Sequence, residues 1–302
     1  MFMIMDIWFY QLFGQWGWLI ALAIAIGINV PIFIWVRWKK HLTLFGCLLA
    51  GLFGIIYWMI HPLFYAILFV FFISSSVLTK YRKKEKKEVQ DKFAKGGERD
   101  TSQVLANGLG GLIFAICHLL VFLLTEKVII SNALIYAFIA TIGTVNADTW
   151  GTEIGILSKD QPYWVLNLKQ KVERGTSGGV SPKGTAASFI GALLVSIAAL
   201  IIEVFWQNPI LDSSTWQIYL FIPLTIFIGF IGGLIDSIFG ATIQGFFKCT
   251  ICGKGTEKRI HCNKPTIIKR GNRWFRNDHV NFSASFIAGL LAFGIGCFAY
   301  LI

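Results

Sequence analysis

Residues 104–147 read VLANGLGGLIFAICHLLVFLLTEKVIISNALIYAFIATIGTVNA. Two apolar runs, 104–124 and 129–147, are separated here by one short polar break, Thr125-Glu126-Lys127. Each run is close to the ~20 residues that an α-helix needs to cross the hydrocarbon layer of a bilayer. Neither run alternates apolar and polar residues as the strands of a membrane barrel do. The stretch therefore predicts a pair of transmembrane helices.

Similar apolar runs recur along the whole chain of 302 residues. Hydrophobic residues make up 55% of the sequence and charged residues 14%, and the mean hydropathy is +0.65. A soluble domain has about 25% charged residues. Backbone polar groups in lipid must be satisfied within the protein, which favours helices. We predict an all-α, polytopic transmembrane bundle that forms a single domain, residues 1–302, with about eight spans at 16–36, 43–60, 63–79, 104–124, 129–147, 185–205, 217–240 and 282–302.

Three of these spans allow another interpretation. The run 16–36 resembles a secretory signal, but no basic residue precedes it and no small-residue cleavage site follows it, so we predict a retained span. The runs 43–60 and 63–79 meet at His61-Pro62, where the proline favours a tight turn. These two runs are either full spans or a re-entrant pair.

The basic residues lie almost entirely on one side of this topology. They fall in the turn after residue 36 and in the loops 80–103, 148–184 and 241–281, and of 27 lysines and arginines only Lys127 lies on the other side. An excess of basic residues marks the cytoplasmic side of a membrane. We therefore expect the three long loops to be cytoplasmic and both termini to lie outside the cell. The membrane is expected to be the plasma membrane of a prokaryote.

The net charge of +11 then reflects topology, and no nucleic-acid partner is expected. The densest basic run, residues 80–87 (KYRKKEKK), is expected to orient the protein and to contact anionic lipid headgroups. Each such charge contributes about 1 kcal/mol near the membrane surface. Attraction of a nucleotide is the alternative role for this run.

A first polar segment, residues 95–108 (KGGERDTSQVLANG), leads into the fourth span. If Asp100 caps the helix, Asp100, Gln103 and Asn107 follow the i, i+3, i+7 spacing of one helical face. An ordinary capped helix accounts for the carboxylate, but not for amides that continue into the bilayer, where polar groups usually face a polar interior. We therefore assign Asp100 and Asn107 to a candidate site.

A second polar segment, residues 146–153 (NADTWGTE), ends the fifth span. It contains Asp148 and Glu153 among hydroxyl and amide groups. Oxygen ligands of this kind suit Mg²⁺, which often binds phosphates at the same time. We predict a magnesium site here, with general-base chemistry and a plain polar helix end as the alternatives.

A third segment, residues 174–185 (RGTSGGVSPKGT), runs directly into the sixth span. Glycines let the backbone approach a ligand, and a helix N-terminus favours an anion. The spacing is not that of a P-loop. A flexible loop is the alternative to a phosphate cradle, which would use Arg174, Gly175, Thr176, Gly178, Gly179 and Lys183.

A fourth segment, residues 232–244 (GGLIDSIFGATIQ), places Asp236 inside the seventh span. Gly232, Asp236 and Gly240 form a small-residue stripe suited to close helix packing. An ionised carboxylate at this depth costs at least about 2.5 kcal/mol unless a partner or a cation compensates it. We therefore place Asp236 in the site with magnesium. Asn277, Asp278 and Asn281 open the last span and either join this site or cap the helix.

The six cysteines divide into two groups. Cys47, Cys117 and Cys297 lie in predicted spans and are expected to be small packing residues. The remaining three, with one histidine, resemble half a zinc knuckle: Cys249, Cys252, His261 and Cys262. Adjacent ligands at 261 and 262 would be strained, and no second CxxC pair exists. Zinc binding and reduced surface thiols are both compatible with the sequence.

Together these motifs resemble the integral membrane proteins of domain-of-unknown-function family 92, which includes the chloroplast phytyl-phosphate kinase. The matching stretches lie between about residues 80 and 290, namely 96–108, 147–153, 174–185, 233–244 and 277–281. The resemblance implies a membrane-embedded kinase that transfers the γ-phosphate of CTP, or another nucleotide, to an isoprenoid monophosphate such as phytyl phosphate. The first three spans carry no matching motif.

The favoured hypothesis is therefore nucleotide-dependent phosphorylation of a lipid phosphate, which requires mainly positioning and charge neutralisation. We assign Asp148, Glu153 and Asp236 to magnesium and the glycine-rich segment to nucleotide phosphates. Asp100 and Asn107 would position substrate or hold a second metal. A transporter or flippase for a phosphorylated lipid, and a cytidylyltransferase acting on a lipid phosphate, are the alternatives.

Overall fold

The computed structural model describes residues 14–90, 92–95, 97–125, 127–205 and 217–299. Gly96 of the first polar segment, both chain ends and residues 300–302 of the last predicted span lie outside this range. The described chain begins with a short 3-10 turn, Gly14–Trp16, and continues as nine α-helices. These are α1 (Gly17–Trp38), α2 (Leu44–Ile60), α3 (Pro62–Lys80), α4 (Lys83–Gln90), α5 (Thr101–Leu124), α6 (Val128–Gly155), α7 (Pro182–Phe205), α8 (Gln217–Thr242) and α9 (Asn277–Ala299).

Seven of the described helices are long and apolar enough to cross a membrane, namely α1, α3, α5, α6, α7, α8 and α9. The remaining predicted span, 43–60, corresponds to α2, an apolar helix of 17 residues. It meets α3 at the predicted break, where His61 accepts a hydrogen bond from the Leu63 amide and Pro62 occupies the first helical turn. The predicted helical membrane bundle is therefore confirmed.

Several helices extend beyond the hydrophobic runs that predicted them. Helix α6 continues to Gly155, past the expected end at residue 147, and α9 begins at Asn277 rather than at residue 282. Polar residues assigned to loops therefore lie on terminal helical turns, where their side chains have a fixed direction.

Helix α6 forms the centre of the bundle, and every residue from Ser131 to Ala147 is buried. It packs against α5, α7, α8, α9 and α3. Small residues allow this close approach. At Gly232 of α8, an added Cβ atom would overlap the Thr144 side chain of α6. The glycine stripe on α8 thus has a packing role.

The long loops contain short antiparallel sheets that the sequence did not predict. One sheet joins β1 (Tyr163–Trp164), β2 (Asn167–Lys171) and β3 (Gly179–Val180) in the order β2-β1-β3. A second joins β4 (Phe246–Lys248), β5 (Gly255–Thr256) and β8 (Ile267–Arg270) in the order β5-β4-β8, and β6 (Ile260–His261) pairs with β7 (Lys264–Pro265). Strands this short contain too few residues to show the alternation of apolar and polar side chains that predicts a strand. The charged helix α4 was likewise assigned to a loop.

The basic loops meet at one end of the bundle, which we name the loop end. The Arg99 amide donates to the His41 carbonyl (3.0 Å), and Lys80 Nζ donates to the Lys39 carbonyl (2.6 Å). Thr256 Oγ1 donates to the carbonyl of Lys92 (2.8 Å). Helices α5, α7 and α9 begin at this end, whereas α6 and α8 finish there. This alternation brings the four polar segments together.

Candidate functional site

A cavity of about 410 Å³ lies at the loop end between α5, α6, α7, α8 and α9. The linker before α5 and the glycine-rich segment before α7 complete its wall. Most of the predicted site residues line it: Asn107, Asp148, Glu153, Arg174, Gly175, Thr176, Gly178, Gly179, Asp236, Asn277, Asp278 and Asn281. Asp100 and Lys183 do not line it.

Asp148 and Asp236 form the acidic centre of the cavity. Their carboxyl groups lie within hydrogen-bonding reach of each other, although one belongs to α6 and the other to α8. Thr152 Oγ1 lies 3.5 Å from Asp148 Oδ1, and Asn281, with its amide in the orientation its neighbours favour, donates to Asp236 Oδ2 at 3.1 Å. Neither carboxyl group makes an ion pair with the described residues. Two carboxylates this close need a shared proton or a bound cation.

Glu153 has a different environment from the one we predicted. Its Oε2 atom accepts a hydrogen bond from Lys86 Nζ at 2.7 Å, and the Lys86 side chain has no exposed surface. Lys86 also donates to the Leu78 carbonyl at 2.6 Å. The carboxylate of Glu153 therefore has a lysine of α4 as its partner, unlike Asp148 and Asp236, and its role as a magnesium ligand stays a prediction.

Glu257, which the sequence did not indicate as a site residue, supplies a further acidic group of the cavity. Its Oε1 atom accepts hydrogen bonds from Ser177 Oγ (2.9 Å) and from Gln244 Nε2 (2.8 Å), and the Ala94 amide lies 3.4 Å from Oε2. Burial raises the pKa of Glu257, with a smaller contribution from Asp278, and the hydrogen bonds oppose this rise. The surrounding sequence, KGTEKR, resembles any charged loop and carries no signal for a site.

The glycine-rich segment lines the cavity but is less open than a phosphate cradle. Gly175 and Gly178 have φ angles of +77° and +83°, which favour glycine. A Cβ atom on Gly178 would lie 2.5 Å from the Cβ of Ala241, so this glycine also permits contact with α8. The amides of Thr176 and Gly179 donate to the carbonyls of Glu173 and Thr176 within the loop. We predicted that the Gly179 amide binds phosphate, but this amide already donates a hydrogen bond within the loop.

The two basic residues predicted for this segment are separated. Arg174 is exposed at the cavity wall, and its guanidinium makes no ion pair within the described chain. Lys183 lies exposed on the first turn of α7 and does not reach the cavity, so its predicted phosphate contact is corrected. Ser181 instead lines the cavity. Its hydroxyl caps α7 by accepting a hydrogen bond from the Gly184 amide (3.1 Å).

Asp100 caps α5, as its position predicted. Its carboxylate accepts a hydrogen bond from the Gln103 amide at 3.0 Å and forms an ion pair with Lys95 Nζ at 2.9 Å. Although burial acts in the opposite direction, these hydrogen bonds, with one from Ser102, hold the pKa of Asp100 below its usual value. Asp100 therefore caps the helix and does not line the cavity, whereas Gln103 and Asn107 do.

The first turn of α9 also lines the cavity, next to the start of α5. Asp278 pairs with Lys95 Nζ, the same atom that binds Asp100, and so ties the starts of α5 and α9 together. The side-chain amides of Asn281 and Asn107 lie 3.4 Å apart. Arg276, which we did not predict, adds an exposed cation at the cavity wall beside Asn277.

A second, apolar crevice of about 100 Å³ adjoins the cavity. It lies between α1, α2, α3 and α5 and is lined mainly by aliphatic and aromatic side chains such as Ile32 and Phe72. Three residues line both spaces, namely Arg99, Gln103 and Asn107. Helices without a recognised motif therefore contribute an apolar surface next to the polar site.

The cysteine and histidine side chains of the last long loop form a separate cluster. One ligand atom from each of four residues lies within 4.8 Å of the other three: Cys249, Cys252, His261 and Cys262. Backbone amides of Cys252 and Ile251 lower the pKa of Cys249 to about 6, against the opposing effect of burial. The structure thus brings together the four residues of the predicted half-knuckle.

Comparison with known proteins agrees with this architecture. Protein PGR of Arabidopsis thaliana is 34% identical over 260 residues, covering 84% of this chain and 88% of that protein. An uncharacterized membrane protein of Methanocaldococcus jannaschii is 26% identical over 281 residues (92% and 96%), and one of Synechocystis is 25% identical over 265 residues (87% and 86%). No solved structure matches the chain significantly. The family model described as integral membrane protein DUF92 matches residues 27–289. The chain therefore belongs to the DUF92 family of integral membrane proteins.

Proposed function

We propose that this protein is a membrane-embedded phosphotransferase that converts an isoprenoid monophosphate into the diphosphate with a nucleoside triphosphate, preferably CTP. The reaction would take place at the loop end, which we assign to the cytoplasmic side because it contains the basic loops. The preference for CTP and for an isoprenoid such as phytyl phosphate rests on the family resemblance.

The observation that carries this proposal is the junction between the polar cavity and the apolar crevice. A prenyl phosphate has a charged head and a long apolar tail, so its site must offer both environments side by side. Arg99, Gln103 and Asn107 line both spaces. They would bind the phosphate head while the tail occupies the crevice between α1, α2, α3 and α5.

The acidic centre fits a hard divalent cation. Asp148 and Asp236 offer carboxylate oxygens close to each other, have no cationic partner among the described residues, and are flanked by the amide of Asn281. Mg²⁺ binds through one or two carboxylates together with substrate phosphates. When bound there, it would neutralise charge on the phosphoryl group being transferred.

Basic groups in the lining of the cavity suit the nucleotide. Arg174 and Arg276 are exposed, unpaired cations in the described chain. The N-terminus of α7, with its positive end of the helix dipole, faces the same space at Ser181. These groups would attract and orient the triphosphate.

The chemistry requires little proton transfer. An oxygen of the lipid monophosphate attacks the γ-phosphorus, a new P–O bond forms, and the bond between the γ-phosphorus and the β–γ bridging oxygen breaks. The nucleoside diphosphate leaves with the electron pair of that bond. Because the attacking phosphate is already anionic, no strong general base is needed.

The experiment uses purified protein in lipid nanodiscs with Mg²⁺, a series of prenyl monophosphates and CTP radiolabelled at either the α- or the γ-phosphate. Transfer of the γ-label to lipid, with release of CDP, supports the proposal. Transfer of the α-label with release of pyrophosphate would identify a cytidylyltransferase and overturn it. Flux of a prenyl phosphate across liposomes without label transfer would identify a transporter.

A further inference from the structure

The cluster of Cys249, Cys252, His261 and Cys262 has the dimensions of a tetrahedral metal site. His261 Nδ1 lies 3.6 Å from Cys252 Sγ and 3.3 Å from Cys262 Sγ. Zinc–sulfur bonds of ~2.3 Å and zinc–nitrogen bonds of ~2.05 Å at tetrahedral angles place two such ligand atoms about 3.6 Å apart. These two separations are close to those that one Zn²⁺ requires, and all four ligand atoms lie within 4.8 Å of one another.

The backbone around the first two cysteines is shaped for metal-bound thiolates. Cys249 Sγ accepts hydrogen bonds from the amides of Ile251 (3.4 Å) and Cys252 (3.5 Å). The turn closes through Gly253, which has a φ angle of +71° and donates its amide to the Cys249 carbonyl (3.1 Å). Amide hydrogen bonds to sulfur favour the thiolate form that binds metal.

A tight hairpin resolves the strain expected of adjacent ligands. Between β6 and β7, Cys262 and Asn263 have φ angles of 50° and 56°, as in a two-residue type I′ turn. A left-handed conformation is energetically unfavourable for a residue such as cysteine. Here it lets the side chains of His261 and Cys262 reach the same point, so a bound ion would compensate the cost.

The cluster encloses the segment that carries Glu257. Cys249 and Cys252 precede β5, and His261 and Cys262 follow it, so the ion would join both sides of this segment. Its strands contain only two to four residues each, which is too little to form a stable core without a disulfide or a metal.

The same segment contacts the cavity at several points. The Glu257 amide donates to the Lys92 carbonyl (2.9 Å), and its carboxylate binds Ser177 and Gln244. At the other end, Arg270 donates to the carbonyls of Ser177 (2.9 Å) and Gly240 (3.2 Å) and lies over the ring of Trp164. The conformation of this loop therefore decides whether Glu257 reaches the cavity.

We propose that Cys249, Cys252, His261 and Cys262 bind one structural Zn²⁺, and that this ion holds residues 246–270 in the conformation that presents Glu257 to the cavity. Zinc content and the order of this loop are independent of the reaction that the protein catalyses.

Metal analysis of protein purified without added metal tests the first part. We expect one zinc per chain in the wild-type protein and a loss of at least tenfold in Cys252→Ser and His261→Ala. Cys297→Ser, which alters a thiol in α9, is the matched control and should retain zinc. A wild-type protein without zinc, or a Cys252→Ser variant that keeps it, would overturn the proposal.

Limited trypsin digestion tests the second part, because Lys254, Lys258 and Arg259 lie inside the enclosed segment. We expect cleavage at these residues to accelerate at least tenfold in Cys252→Ser or after chelation, and added Zn²⁺ to restore resistance only to the wild-type protein. Equal cleavage of the zinc-bound and zinc-free forms would show that the ion does not hold the loop.

Discussion

The carboxyl group of Asp148, near the end of α6, lies within hydrogen-bonding reach of that of Asp236, near the end of α8. The glycines that let these helices approach, such as Gly232 beside Thr144, lie about one turn away. The helix packing that stabilises the bundle therefore also creates the acidic centre. Packing alone does not require acids here, because two neutral residues of similar size would pack equally well. We therefore propose that the two carboxyl groups bind a cation.

Replacing one acid of this pair should abolish activity without unfolding the protein. We expect Asp148→Asn and Asp236→Asn each to reduce kcat for phosphate transfer by roughly 100-fold or more. The exposed loop residue Asp160 offers the control Asp160→Asn, which should retain wild-type turnover. Wild-type turnover of the Asp148→Asn variant would remove Asp148 from the site.

The same variants should lose stabilisation by ligand. A ligand present at 100 times its Kd stabilises the folded protein by about 2.7 kcal/mol. We therefore expect Mg²⁺ with CTP to raise the Tm of the wild-type protein and of Asp160→Asn in a thermal denaturation assay, but not that of Asp148→Asn. Equal increases in all three proteins would place the cation elsewhere.

Glu257 should make stability depend on pH. Because the pKa of Glu257 in the folded protein is raised above its ordinary 4.5, its contribution to stability is present at low pH and is lost as the pH rises through the folded-state pKa. The Glu257→Gln substitution keeps an oxygen that accepts hydrogen bonds but removes the ionisation. We expect the Tm difference, Glu257→Gln minus wild type, to become more positive as the pH rises above about 4.5. A difference that stays constant over this range would contradict the prediction.

The apolar crevice should determine the KM for the lipid. Ala50 of α2 lines the crevice, and a larger side chain would fill it. We expect Ala50→Phe to raise the KM for a long-chain prenyl phosphate roughly tenfold, as for a moderate steric penalty, and to leave the KM for CTP unchanged. Leu48, on the exposed side of the same helix, provides the control Leu48→Phe. Equal effects of both variants would argue against binding of the tail in the crevice.

The buried ion pair between Lys86 and Glu153 should contribute strongly to stability. Removing the lysine leaves a partly buried carboxylate without a partner, at a cost of roughly 3–5 kcal/mol. We expect Lys86→Met to lower the Tm much more than Lys83→Met, which changes an exposed residue of the same helix. The double variant Lys86→Met/Glu153→Gln should recover part of the loss. If both single lysine variants have the same Tm, the pair is not important for stability.

The sequence by itself determined the class of fold and most of the polar groups of the site. Hydrophobicity along a helix is a local property, so the spans could be recognised within several residues of their observed bounds. The cost of a carboxylate in lipid is also local, which explains why Asp236 could be assigned to a site before its neighbours were known. Asp148 was assigned because it lies among several oxygen ligands close together in sequence.

Only the tertiary structure decided which polar groups remain available for a ligand. Glu153 has the same sequence context as Asp148, but its charge is balanced by Lys86 from a helix far away in the chain. Glu257 reaches the cavity from a loop that contains the cluster of three cysteines and one histidine, and Lys183 does not line the cavity. Ion pairs and loop positions depend on contacts between segments distant in sequence, and a residue pattern contains no distance between them. The hydrophobic spans therefore specified the membrane bundle, whereas the packing of its ends specified the site.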